Sequence, residues 1–164
     1  MDIRFADEAD AGALEQVEAS ADRALVASLG VDEAFETESG LVRAAMPGFI
    51  LVAELSGRVV GFAQVLERPG LCHLEQLSVH VDHARRGVGA ALLAAAMDTA
   101  SARGHQEMTL RTFVTPPFNA PFYARHGFVS CEPEHALHAE IVGAEADLDR
   151  LAPRVLMRAA LAGR

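Results

Sequence analysis

At 164 residues with 51% hydrophobic content the chain can bury the core of one domain, and 14 Lys plus Arg against 23 Asp plus Glu leave a formal net charge of −9. That balance disfavours electrostatic binding to nucleic acid or an anionic membrane and suits a cationic small molecule better. No run of about 18 apolar residues occurs, the N-terminal Met1-Asp2-Ile3-Arg4-Phe5 lacks a basic-then-apolar leader, and Cys72 and Cys131 are too isolated for a disulfide framework or a CxxC pair, so a soluble cytoplasmic protein with reduced thiols is expected.

Residues 3–5 read as a short strand, and Asp7 can cap a helix carrying Leu14, Val17, Ala21 and Leu25 at three- and four-residue spacing. Residues 30–48, with acids at Asp32, Glu33, Glu36 and Glu38, read as a second helix plus loops ahead of Met46-Pro47-Gly48. Two β-rich runs, 49–55 and 58–67, flank Ser56-Gly57 as in a tight hairpin, and Arg68-Pro69-Gly70 turns the chain into residues 71–81, giving a three-strand antiparallel meander. In the third strand the apolar parity changes, from Leu74 to Leu77, Val79 and Val81. One face cannot bury both sets, so one extra residue, a β-bulge near Glu75-Gln76, is predicted. His73 and Glu75 flank Leu74 and are expected together on the face pointing away from the packed side.

Residues 87–103 form a helix with Val88, Leu92, Ala95, Ala96, Thr99 and Ala100 as its buried stripe and Gly104 as its stop. A strand over 108–114, a short helix over 119–126 and the start of a strand over 127–131 follow, the last interrupted by Pro133. Residues 135–150 have helical spacing through Leu137, Ile141, Ala144 and Leu148, and 154–161 close as a strand. Without an internal repeat, low-complexity stretch or linker, one domain over 1–164 is expected.

The junction His83-Ala84-Arg85-Arg86-Gly87-Val88-Gly89-Ala90 leads from the bulged strand into the long helix. Free amides and the dipole at such a helix start suit a pyrophosphate, although these residues alone would serve equally as a plain glycine-rich turn. The stretch is neither a Walker loop nor a dinucleotide fingerprint, since Leu92 stands where GxGxxG needs its third glycine.

Over residues 84–89 the junction resembles the [Q/R]xxGx[G/A] signature of the GNAT superfamily: Gly87 and Gly89 fit, Ala84 stands where Gln or Arg is usual, and Arg85 and Arg86 can supply the charge. A second stretch, NAPFYARHGF at 119–128, is similar to the family motif in which a Tyr shortly precedes Gly-Phe. Tyr123, the one tyrosine, holds that place; the usual upstream Asn meets Pro116, so Asn119 is a displaced or different Asn. With strand order and chain length, the likeness covers most of residues 1–131. It implies an α/β (α+β) GNAT fold, a central mostly antiparallel mixed sheet of about six or seven strands flanked by about four or five helices. It further implies acetyl-CoA as co-substrate, a small-molecule amine as acceptor and a homodimer. The implied coenzyme-binding residues are Leu77, Ser78 and Val79 through their main chain, Arg85, Arg86, Gly87, Val88, Gly89 and Ala90 at the pyrophosphate, and Asn119 and Tyr123.

Acetyl transfer to an amine needs a neutral nitrogen, whereas an alkylammonium has a pKa near 10, so a base must take a proton. Glu75 ranks first for that role and His73 second, and Tyr123 resembles the family's general acid toward the departing thiolate. His135 and His138, three apart on a helix, have no third ligand nearby, so no metal is predicted. A catalytically silent acyl-CoA-binding module and a protein or peptide N-acetyltransferase are the alternatives, and the acceptor itself stays unnamed.

Overall fold

In the computed structural model, residues 1–32 and 35–161 are described; Glu33, one of the acids expected in 30–48, lies outside them. Seven strands, β1 (Asp2–Phe5), β2 (Gly48–Leu55), β3 (Arg58–Arg68), β4 (Leu71–Val79), β5 (Glu107–Phe113), β6 (Val129–Ser130) and β7 (Arg154–Ala160), form one sheet in the order β1-β2-β3-β4-β5-β7-β6. All neighbours are antiparallel except β4 and β5, whose parallel pairing requires the crossover helix between them. The helices are α1 (Ala11–Leu29), α2 (Gly40–Ala45), α3 (Val88–Ala102), α4 (Ala120–Arg125) and α5 (Ala136–Ala144). The described residues thus form a mixed, mostly antiparallel sheet of seven strands with five α-helices, within the six or seven strands and four or five helices expected.

Asp7 caps a short 3-10 turn rather than α1 directly, accepting the Ala9 N–H at 2.9 Å while Asp10 accepts the Asp7 N–H at 2.9 Å, and this reciprocal box launches α1. On one face of the sheet α3 buries Val88, Leu92, Leu93, Ala96, Met97 and Ala100 against Leu51, Ala63, Val65, Leu74 and Leu110. The observed stripe includes Leu93 and Met97 and leaves Ala95 and Thr99 partly exposed, a rotation of the expected stripe by part of a turn. On the other face Leu14 and Val17 of α1 cover Ile50, Val52 and Phe62, a second apolar layer.

Residues 135–150 do not make one helix: α5 stops at Ala144, and Leu148–Arg150 is a separate 3-10 turn. The spacing of Leu137, Ile141 and Leu148 is helical, yet only His138 of α5 is buried, so apolar burial does not hold the segment in one piece.

Helix α2 crosses α1 at close range. A Cβ on Gly40 would stand 2.3 Å from the Ala11 carbonyl oxygen and 2.7 Å from Ala11 Cα, so backbone must move to admit it. Gly40→Ala is expected to cost about 1–3 kcal/mol and to lower the melting temperature, whereas Gly12→Ala in α1, where nothing lies within 4 Å, should not destabilise. Thermal unfolding of the two variants beside wild type checks the contrast.

Candidate active site

Strand β4 carries the site because it is one residue too long for its neighbour. Gln64 faces Gln76 and Val65 faces Leu74, which leaves Glu75 as the unpaired extra residue, and the predicted bulge stands where the parity broke. Beyond it the His80 N–H donates to the Val60 carbonyl at 2.9 Å. In an antiparallel ladder alternate residues bond the same neighbour, so Ser78 bonds Phe62 while Leu77 and Val79 turn their main-chain groups away from β3. On that far side β5 pairs only at His73–Thr109 and Leu74–Leu110, after which the strands part. The main chain of Leu77 and Val79 thus opens on a cleft. Ser78 does not: its ladder bonds go to β3, and its buried hydroxyl accepts from Gln76 Nε2 at 2.8 Å.

At the end of the same strand a 3-10 turn (Val81–His83) leads to residues 84–87 and then α3. Arg85 (φ 59°) and Gly87 (φ 84°) both take left-handed backbone, a cost that Gly87 avoids by lacking Cβ. The Ala91 N–H bonds the Gly87 carbonyl at 3.0 Å, so the amides of Val88, Gly89 and Ala90 have no intrahelical acceptor. Exposed Arg85 and Arg86 flank them, a donor cradle of anionic taste in a chain of net charge −9. Gly89 lies where α3 meets β4 and α4: its Cβ would be 3.6 Å from Val79 Cγ2 and 3.8 Å from Phe122 Cζ.

Asn119 stands at the N-terminus of α4 without capping it. Its Nδ2 donates instead to Thr112 Oγ1 of β5 at 2.8 Å, and its Oδ1 is buried with no partner among the described residues. Tyr123 of α4 is 8% exposed between the rings of Phe122 (5.1 Å) and Phe128 (5.8 Å); burial pushes its phenol pKa up, so it is protonated at neutral pH.

The two candidate bases, expected side by side on an open face, differ in cover: His73 is buried and Glu75, the bulge residue, is half-buried. His73 is 1% exposed, with Nδ1 2.8 Å from Thr109 Oγ1, and burial first, then the charges of His138 and Arg154, depress its pKa to about 4. The open position expected for His73 is thus corrected: the segment carrying His138 covers it. Glu75 is half-buried. Burial, and next the Glu145 carboxylate, raise its pKa, against the opposing charges of Arg43, Arg154 and Arg68. A carboxylate with a raised pKa is the better base. Two hollows of about 420 and 330 Å³ lie away from these groups, beside α2 and under the β3–β4 turn, and neither is lined by Glu75, Tyr123 or residues 85–90. Among the described residues no three His, Cys, Asp or Glu side chains converge as a metal site would need; the His135 and His138 rings stack at 3.7 Å.

Residues that sequence reasoning missed form the wall beside Glu75. Buried Arg43 of α2 donates from Nε to Glu18 Oε2 at 2.9 Å, pairs closely with the other Glu18 oxygen, and donates from Nη1 to Gln64 Oε1 at 2.6 Å. Asp22, one turn along α1, has its pKa pushed up to about 6 by burial and then by the Glu18 charge. Nothing in the pattern around Arg43, Leu41-Val42-Arg43-Ala44-Ala45, distinguishes a buried arginine from an exposed one.

A sheet parted at its central parallel strands, with a donor cradle at the helix following the first of them, is the frame that these residues build. The model of the acetyltransferase (GNAT) family matches residues 14–128, and the chain belongs to that family. Among solved structures it is similar to the ribosomal-protein-S18-alanine N-acetyltransferase of Escherichia coli (TM-score 0.73, 15% identity, 99% of this chain and 95% of that one). It is also similar to the N-acetylglutamate synthase of Neisseria gonorrhoeae complexed with coenzyme A and N-acetyl-glutamate (TM-score 0.70, 17% identity, 98% of this chain and 35% of that one). A stretch of 61 residues is 39% identical to the mycothiol acetyltransferase of Clavibacter sepedonicus, covering 37% of this chain and 20% of that protein.

The raised pKa of Asp22 makes a test of the wall. The folded state holds the proton more tightly than the unfolded chain, so its contribution is favourable at low pH and is lost as pH rises through about 6. Asp22→Asn is expected to melt above wild type at pH 7.5, with the advantage shrinking below pH about 6 and gone near 4, checked by melting curves across that range.

Proposed function

We propose that this acetyltransferase moves the acetyl group of acetyl-CoA directly to the primary amine of a small molecule, in a ternary complex. The observation that carries the reading is Glu75: a half-buried carboxylate with a raised pKa on the bulge from which the free main chain of Leu77 and Val79 begins. The amides of Val88, Gly89 and Ala90, with Arg85 and Arg86, would hold the pyrophosphate; Leu77, Val79 and the Asn119 Oδ1 would meet the amides of the arm. Acetyl-CoA supplies the activated thioester. Glu75 takes the proton that makes the amine nucleophilic, a main-chain N–H of Leu77 or Val79 steadies charge on the carbonyl oxygen, and Tyr123 gives its proton to the leaving sulfur. The scheme needs no metal and no covalent enzyme intermediate. The carboxyl groups of Asp22 and Glu75 support an acceptor that arrives as a cation. A cytoplasmic location and a homodimer complete the proposal.

Acetyl-CoA is expected to raise the melting temperature with its concentration, a gain lost in Gly87→Val, whose side chain is strained at φ 84°; no shift in wild type would remove the coenzyme assignment. In a thiol-release assay over a panel of amines, Glu75→Gln should lose most rate where the amine is protonated and least near the amine's own pKa. Tyr123→Phe should keep the acetyl-CoA shift and lose roughly 10²-fold in turnover. Wild-type rates in both variants at every pH would overturn the mechanism.

A further inference from the structure

The β5–β7 half of the sheet buries two cations next to the proposed base. Arg111 on β5 and Arg154 on β7 have side chains 6% and 7% exposed, on the face that α5 covers. Arg154 donates from Nη1 to Glu145 at 2.6 Å and from Nη2 to the Arg111 carbonyl at 3.3 Å, with Phe113 under its plane at 5.0 Å. Arg111 holds both Asp149 oxygens through Nη2, at 2.8 and 2.7 Å, and lies 3.6 Å from the same Glu145. Two carboxylates, Glu145 and Asp149, thus serve the two buried guanidinium groups, and among the described residues the Nε–H of each is buried with no acceptor. Unmet donors on two adjacent buried cations mark a place built for more acceptor atoms than the chain provides.

The occupant now there is held by charge rather than by apolar packing. Glu145 follows the last residue of α5, is 21% exposed, and belongs to a segment with a single buried helical side chain, His138. That segment is fastened by ion pairs instead: Arg68–Glu140, Arg158–Glu134 and Arg111–Asp149. Glu145 and Arg154 are also the charges that act on Glu75 from this side of the groove.

We infer that Arg154, with Arg111, is the carboxylate subsite of the acceptor, that Glu145 occupies it in the free protein, and that the acceptor is an amino acid or another amine bearing a carboxylate. This rests on the acetyl-transfer reading above. An entering carboxylate takes the place of Glu145 on the guanidinium while the amine lies toward Glu75, so neither buried cation is left uncompensated at any stage. A neutral carboxamide or a plain alkylamine cannot make that exchange.

The test compares each common amino acid with its α-carboxamide as acceptors in acetyl-CoA-dependent thiol release, for wild type, Arg154→Gln and Glu145→Gln. Wild type should prefer the acids. Arg154→Gln should raise KM for the acids by about ten- to a hundredfold relative to the carboxamides, the loss of a charged hydrogen-bonded pair. Glu145→Gln should lower KM for the acids relative to the carboxamides by removing the competing carboxylate, with its melting curve beside wild type establishing that the variant is folded. Binding of N-acetylglycine against N-acetylglycinamide, read as a thermal shift, gives the same comparison without turnover. Equal or better use of carboxamides or alkylamines by wild type, or no difference between the two N-acetyl probes in wild type and Glu145→Gln, overturns the subsite while leaving acetyl transfer standing. Failure of acetyl-CoA itself to stabilise the protein overturns the acetyl-transfer reading instead.

Discussion

Past Leu74 and Leu110 the two central parallel strands stop sharing hydrogen bonds, and main-chain groups released in the middle of a sheet need another partner. Everything placed at the site follows from that parting. The bulge at Glu75 lets β4 keep its register with β3 on both sides while its second edge swings away from β5. The freed edge runs straight into residues 84–87, so unpaired strand groups and unpaired helix N–H groups come one after the other along the chain. The proposed coenzyme, a flexible chain with amides in its middle and a pyrophosphate at its end, would satisfy both in a single pose. Asn119 adds an acceptor from the far lip of the cleft, fixed by its bond to Thr112 on β5.

The face of the sheet carrying Glu75 is covered twice, by different means. Helix α1 packs Leu14 and Val17 onto Val52 and Phe62, a contact that stabilises in proportion to the apolar area removed from water. The segment from Glu134 to Asp149 packs little apolar surface and is fastened by ion pairs to four arginines on β3, β5 and β7. Exposed pairs such as Arg68–Glu140 contribute little, whereas Arg111 and Arg154 are buried and would be left uncompensated without their carboxylates. One cover is therefore a rigid wall. The other can exchange partners, provided another anion takes their place.

How much of this the residues disclose in advance depends on whether the constraint is local. The parity switch from Leu74 to Leu77 placed the bulge near Glu75-Gln76, where Glu75 is the extra residue, because a strand has only two faces and both cannot be buried by one set. Gly87 and Gly89 located the helix start for the same kind of reason. His73 misled, since alternation says only that it lies opposite Leu74 and nothing about a second layer above that face; α5 is that layer, some 60 residues away in sequence. The single helix expected over 135–150 failed likewise, its apolar spacing being real but unaccompanied by burial. Arg43, Arg111 and Arg154 were illegible because a buried arginine is defined by its partners, and Glu18, Asp149 and Glu145 are distant or ordinary in sequence.

The buried Arg43–Glu18 pair raises the question of why an apolar contact does not stand there. A well-packed hydrophobic replacement of such a pair is often as stable or more so, so stability alone does not explain the pair. Its geometry offers a reason. Arg43 holds Glu18 of α1 with two donors and Gln64 of β3 with a third, while the Gln64 amide returns to the Arg43 carbonyl at 3.2 Å. Gln64 is the residue opposite Gln76, the first regular pair after Glu75. An apolar contact would resist separation of α2 from the sheet but permit sliding, because dispersion is non-directional. Directional bonds from one guanidinium to a helix and to the bulge's own partner strand fix the distance between the wall of α1 and α2 and Glu75, and position is what the proposed proton transfer requires. The Arg43 charge also lowers the Glu75 pKa, against burial and Glu145, so the residue that sets the base's place also limits how far its pKa rises.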